Sequence, residues 1–122
     1  MIAAMDPALD PSTYLFVADA DFLADAHLFA LIHEEEGATR IVRIRSDHEQ
    51  SEFPDCFRRI VLQVHSALDG VGLTAAVSTA LAEAGIACNV VAGFHHDHLF
   101  VPADRAVRAM RVLTDLQASA RE

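Results

Sequence analysis

Positive charge is missing from the first third of the chain: no lysine or arginine precedes Arg40. A secretory signal needs a basic start followed by an apolar run, and MIAAMDPALDP offers neither, so a cytoplasmic location is expected. Cysteine is scarce as well. Cys56 and Cys88 form no CxxC pair, which reads as reduced thiols rather than a disulfide framework. A long uninterrupted hydrophobic run is also lacking. Residues 71–94 carry only Glu83 as a charge, yet Glu83-Ala84-Gly85 ends a helical pattern and a strand-like pattern begins at Ile86. A helix followed by a buried strand fits this stretch better than a membrane span. Basic residues are outnumbered, 9 against 18 acidic, for a net charge of -9. Such a surface repels phosphate backbones and anionic membranes, so neither nucleic acid nor membrane is an expected partner. A cationic or zwitterionic small ligand is compatible with it.

What is present suits one compact domain. Hydrophobic residues make up 52% of the 122 positions, against roughly 45–50% in average soluble domains, enough for a core without staples. The polar, Pro-containing stretch SDHEQSEFPD, residues 46–55, reads as a loop between two halves, 1–54 and 55–122. In the first half Tyr14 to Ala18 reads as a strand after a Pro-rich entry. His27–His33 and Thr39–Arg45 flank HEEEG, where Gly37 can adopt the positive φ of a tight reversal, so a hairpin is expected. Glu34, Glu35 and Glu36 then form its solvated tip, offset across the ladder by Arg40, Arg43 and Arg45.

In the second half Arg59 to Ser66 alternates, with Ile60, Leu62 and Val64 on one face. Leu73, Ala76, Val77, Ala80, Leu81 and Ala84 recur at helical spacing, and Gly85 stops that helix. Ile86–Ala92 and Asp97–Val101 read as strands. Pro102 ends the latter, and Ala106, Ala109, Met110, Leu113 and Leu116 share a face of a second helix. The order β-α-β-β-α requires helices on one face of a mainly antiparallel sheet, which is α+β and most of a ferredoxin-like βαββαβ unit. The N-terminal strands are available for its missing edge.

Residues 69–102, DGVGLTAAVSTALAEAGIACNVVAGFHHDHLFVP, resemble the bacterial ACT-domain proteins of unknown function, through a GLTA-type helix start, a cNV-A-type strand and an HDHLFVP hairpin. Pro7, Leu9, Pro11, Tyr14 and Phe16 match the family's entry pattern, and Glu35, Glu36 and Gly37 its EEG hairpin. More distantly, the second half is similar to the regulatory ACT domains of aspartokinases and to the cytosolic arginine sensors. The resemblance implies two ACT-like halves, homodimerisation, and binding of an amino acid or similar metabolite at a junction between units. The implied contacts are the loop Asp69, Gly70, Val71, Gly72 and Leu73 and the hairpin residues Gly93, Phe94 and Asp97. Gly70 stands where the arginine sensors carry an acid, with Asp69 the nearest carboxylate, so arginine specificity stays open.

The residue chemistry is compatible with that implication. Glycines at 70 and 72 permit close approach, the N–H groups of Val71, Gly72 and Leu73 lie at a helix N-terminus suited to a carboxylate, and Asp69 or Asp97 can accept an ammonium. The alternative is that the glycines only make a tight turn that Asp69 caps. His95, His96 and His98 cluster around Asp97. Only His96 and His98 share a strand face, with His65 a possible third ligand, short of the usual set for zinc. Packing and hydrogen bonding of His98 beside Phe100 is the simpler expectation. No HExxH, CxxC or complete GxGxxG pattern occurs, and neither cysteine sits in an activating setting, Cys88 lying in an apolar strand. No cofactor, metal or catalytic residue is assigned. The expected function is a non-catalytic small-molecule-binding module acting in trans. The alternatives are a ligand-free interaction domain or, on the histidines alone, a metal-dependent enzyme.

Overall fold

The computed structural model describes residues 2–18, 27–44, 55–64 and 70–121. They form strands β1 (Pro7–Val17), β2 (His27–Glu34), β3 (Gly37–Ile44) and β4 (Phe57–Leu62), helix α1 (Leu73–Glu83), strands β5 (Asn89–Ala92) and β6 (Asp97–Pro102), and helix α2 (Ala106–Arg121). The strands make one sheet in the order β2-β3-β1-β4-β6-β5, with every neighbouring pair antiparallel. The fold is α+β of the ferredoxin type. Within the second half β4, β6 and β5 lie side by side, and β1 takes the free side of β4, where a βαββαβ unit carries its last strand.

Alternation along the strands divides the side chains between two faces. Ile60 and Leu62 of β4 and Leu99 and Val101 of β6 meet Leu73, Val77 and Leu81 of α1 and Ala106, Ala109 and Leu113 of α2 in the main core. Met5 joins that core fully buried. The segment bearing it is tied to α2 by Gln117, whose amide donates to the Ala3 carbonyl at 2.9 Å and to Asp6 Oδ1 at 2.7 Å. On the other face Tyr14, Ile41 and Phe100 are buried together, flanked by Phe29 and Phe57.

Several element boundaries differ from the sequence reading. β1 begins at Pro7, not Tyr14, and contains Pro11. The ladder with β4 slips between Leu9 and Thr13, and a residue without an N–H fits such a bulge. The Asp10 carboxylate accepts the Ser12 N–H at 2.8 Å, which stabilises the irregularity locally. β4 spans Phe57–Leu62 rather than Arg59–Ser66, and residues 65–69 lie outside the described set. β5 starts at Asn89 because the preceding residues finish α1 instead. Gly85, at φ 72, donates to Ala82 O and the Ile86 N–H reaches Leu81 O at 2.9 Å. That is a Schellman closure with Ile86 packed into the core. The expected β2–β3 hairpin is present, Glu34 opposite Gly37, which has φ 138. Arg43, however, pairs with His27 at the far end of that ladder, so it does not offset the glutamates. Arg45 and the expected inter-half loop at 46–54 lie outside the described residues.

Leu81 is fully buried and also anchors the helix terminus. Leu81→Ala is expected to cost about 2–5 kcal/mol in urea unfolding, whereas Val107→Ala, on a residue 71% exposed, should stay within about 0.5 kcal/mol.

Candidate functional site

The β5–β6 hairpin, one of the two segments expected to hold a ligand, lies at the end of the sheet where β4 finishes. Asp97 opens β6 between Leu62, the last residue of β4, and Ala92, the last of β5. Helix α1 starts at Leu73, and residues 65–69 between β4 and that helix lie outside the described set. Gly72 caps α1 with φ 105, a conformation other residues rarely adopt, and no side chain caps it among the described residues. Its carbonyl accepts the Ala76 N–H at 2.9 Å, while the first-turn N–H groups have no partner within the helix. Gly70 and Gly72 are exposed, and Val71 is 90% exposed. Leu73 belongs to the core, so only its backbone can serve a ligand. Asp69 lies outside the described residues.

In the hairpin, the Gly93 N–H donates to the His96 carbonyl at 2.9 Å. A Cβ at Gly93 would lie 2.9 Å from that carbonyl oxygen and 3.3 Å from His98 Nε2, so the turn requires glycine for space. Phe94 is 75% exposed and rests edge-on against His95. Asp97 is 7% exposed.

A second cluster, on the sheet face away from the helices, was not singled out from the sequence. It centres on Asp10, whose Oδ2 accepts Arg59 Nη2 at 2.6 Å, Arg59 Nε at 3.1 Å and the Tyr14 hydroxyl at 2.6 Å. Arg58 donates twice to the Asp10 carbonyl, at 3.0 and 3.1 Å. The Arg59 guanidinium lies 5.0 Å from the Phe29 ring centre and 5.5 Å from that of Tyr14, and its Nη1 is 3.2 Å from His98 Nδ1. Tyr14, His27, Leu28, Phe29, Arg43 and Arg59 line a cleft of about 270 Å³ beside this network. The signal available in the sequence was the Asp-Pro-Ser bulge at 10–12 and the paired arginines at 58 and 59. Only the fold shows that they meet.

Burial alone would push the Asp10 carboxyl up. Hydrogen bonds from Tyr14, the Ser12 N–H and Arg59, with the Arg59 charge, outweigh it and hold the group at about 2. Burial, and then the bond to Asp10, pushes the Tyr14 hydroxyl up to about 12. Burial lowers the His98 imidazole, helped by Arg59 and His96 and opposed by Asp97. A neutral His98 can accept from Arg59 through Nδ1, and its ring packs on Phe29 at 5.1 Å. His98 thus packs and hydrogen-bonds beside Phe100, as its strand position suggested. His65 is outside the described residues. Among the described residues no group of three His, Cys, Asp or Glu side chains is placed to hold a metal ion. Burial raises both cysteine thiols, Cys88 to about 11, away from nucleophilic reactivity.

Two outcomes follow. Because Asp10 titrates at about 2 rather than 3.8, its contribution is full above pH 4 and is lost as pH falls from about 4 to 2. Asp10→Asn should therefore lower stability at neutral pH and flatten the acid limb of an unfolding-versus-pH series; parallel limbs would contradict the pairing. Gly93→Ala should destabilise by about 1–3 kcal/mol, read by thermal or urea unfolding.

Comparison with known proteins places this geometry. An ACT domain model matches residues 57–115, which contain β4, α1, the β5–β6 hairpin and the first ten residues of α2. A solved protein of unknown function from Vibrio cholerae, described as a possible transport protein, is 37% identical, with a TM-score of 0.74, over 92% of this chain and 90% of its own. A protein from Agobacterium tumefaciens is similar in fold, at 19% identity and a TM-score of 0.60, covering 87% of this chain and 83% of that one. So is a structure of aspartokinase alpha and beta subunits, at 15% identity and a TM-score of 0.60, covering 90% and 95%. No match is found among curated proteins. Residues 57–115 thus form an ACT domain, and over nearly its whole length the chain belongs to one family with the Vibrio cholerae protein.

Proposed function

We propose that this protein is a non-catalytic module that binds an amino acid or a similar small metabolite and acts in trans, as a homodimer in the cytoplasm. The observation that supports the reading is a helix start at Gly72 that no described side chain caps. Val71, beside that helix start, and Phe94, in the β5–β6 hairpin, are both exposed. First-turn N–H groups of α1 favour a carboxylate. Asp97, with Asp69 on the loop, supplies charge for an ammonium. Val71 and Phe94 offer apolar surface that a ligand would cover. The division into ACT-like halves at 54/55 belongs to the same proposal: two units give a junction in which a ligand can bias their packing.

Dimerisation is supported by β2, which sits at the sheet edge with Leu28, Leu31 and Ile32 57%, 41% and 46% exposed. An edge with unpaired backbone groups and apolar side chains is suited to pairing with a second strand. The same edge supports a second reading, a ligand-free interaction domain whose β2 pairs with another chain.

A thermal-shift screen against the twenty amino acids and common nucleotides separates the two. The ligand reading expects a saturable rise with one amino acid. Phe94→Ala should weaken that rise, because the residue is exposed and its loss leaves the core untouched, and Asp97→Asn should abolish it. A flat response across the panel, with melting that depends only on protein concentration, favours the interaction reading.

A further inference from the structure

The cleft on the sheet face away from the helices has a chemistry different from that of the loop site. Its lining brings Arg43 and Arg59 to either side of Tyr14. Arg43 is the register partner of both Tyr14 and His27, and its charge, like that of Arg59, reaches the Tyr14 hydroxyl. Against these cations stands, among the described residues, the Asp10 carboxylate, which is ion-paired with Arg59. One oxygen takes the Ser12 N–H and the other takes Tyr14 and two N–H groups of Arg59. A guanidinium has five N–H donors. Arg59 commits two to Asp10 and one to His98, which leaves one on Nη1 and one on Nη2. Arg43 is exposed and has no hydrogen-bond or ion-pair partner among the described residues. A locally cationic patch therefore exists on a chain whose net charge is -9.

The walls complete the picture. Leu28 is 57% exposed, and the Phe29 ring is already stacked with the Arg59 guanidinium, which presents donors beside an apolar plane. The volume of about 270 Å³ is slightly below the usual range of roughly 300–1,000 Å³ for drug-sized ligands, and so suits a molecule of about ten heavy atoms. We propose that this cleft binds a small organic carboxylate with a flat apolar body, its carboxylate held by Arg43 and the remaining N–H groups of Arg59, its body against Leu28 and Phe29. The nearby described carboxylate, Asp10, is already paired with Arg59, so the cleft offers a ligand more donors than acceptors. This site is separate from the loop end of the sheet and does not depend on that reading.

Benzoate is the probe, benzamide its uncharged counterpart, and inorganic phosphate the anion without an apolar body. Each is titrated into the labelled full chain, and backbone amide shifts are followed by NMR. Benzoate should shift the amides around Tyr14, Phe29 and Arg43 saturably, with benzamide and phosphate much weaker. Arg43→Ala removes a charge-assisted contact at an exposed position and should weaken benzoate roughly tenfold or more, with Arg43→Lys in between. The proposal is overturned if benzoate shifts nothing or shifts only amides of residues 70–73 and 93–97. Equal binding of benzamide or phosphate, or unaltered affinity in Arg43→Ala, overturns it as well. Any amino-acid response at the loop site should survive Arg43→Ala, so failure of one reading is distinguishable from failure of the other.

Discussion

The pairing of β1 with β4 is the constraint on which the rest of the molecule depends. β4 is flanked by β6 on one side only within the second half, and an unpaired central edge would leave a row of backbone donors and acceptors without partners. β1 fills that side and continues into β3 and β2, so both halves share one sheet. The seam is imperfect: the ladder slips between Leu9 and Thr13, and Pro11 brings no N–H to it. Side chains make good the loss. Arg58 donates twice to the Asp10 carbonyl, and Arg59 binds the Asp10 carboxylate. A bulge that would weaken the seam thus becomes the place where it is held by charge-assisted hydrogen bonds, which are about twice as strong as neutral ones.

The same seam organises the electrostatics of one face. Asp10 fixes Arg59, Arg59 lies along Phe29 and Tyr14, and its third donor reaches His98 on β6. Four strands of the sheet are joined through one guanidinium. Its side chain is only 21% exposed, and that of Asp10 13%. A pair this shielded costs desolvation energy and is worthwhile only when its remaining valences are met. Here Tyr14 and Ser12 meet those of Asp10, and His98 meets one of Arg59. His98, expected from its strand position to pack and hydrogen-bond, completes this chain of hydrogen bonds.

Local signals in the sequence were readable where one element decides its own fate. The i, i+3, i+4 spacing from Leu73 to Ala84 located α1 because its apolar face needs no information from elsewhere, and Gly37 and Gly85 marked turns because their conformations are local. The β-α-β-β-α order then gave the sheet and its single helical face, and the hairpin motif gave the family. What was not readable depends on register between distant strands. Pro7 and Pro11 argue locally against a strand, yet β1 contains both, since tertiary pairing with β3 and β4 outweighs local preference. Arg43 was assigned to the glutamate-rich turn by proximity in sequence, but a hairpin ladder places it opposite His27. The Asp10–Arg59 network spans 49 positions, and no periodicity announces such a contact.

Charge acts differently at long and at short range on this surface. A surface with twice as many acids as bases favours cationic or zwitterionic ligands at long range, which agrees with an amino acid at the loop end of the sheet. Close range obeys different arithmetic, because interactions between exposed charges fade beyond a screening length of about 8 Å at physiological ionic strength. Among the described residues, a small anion bound beside Tyr14 as proposed would meet Arg43 and Arg59, with Asp10 already paired with Arg59. The overall sign of the protein therefore does not determine what each site accepts. That is fixed by which donors and acceptors the β1–β4 seam leaves unspent, and at this seam those are donors.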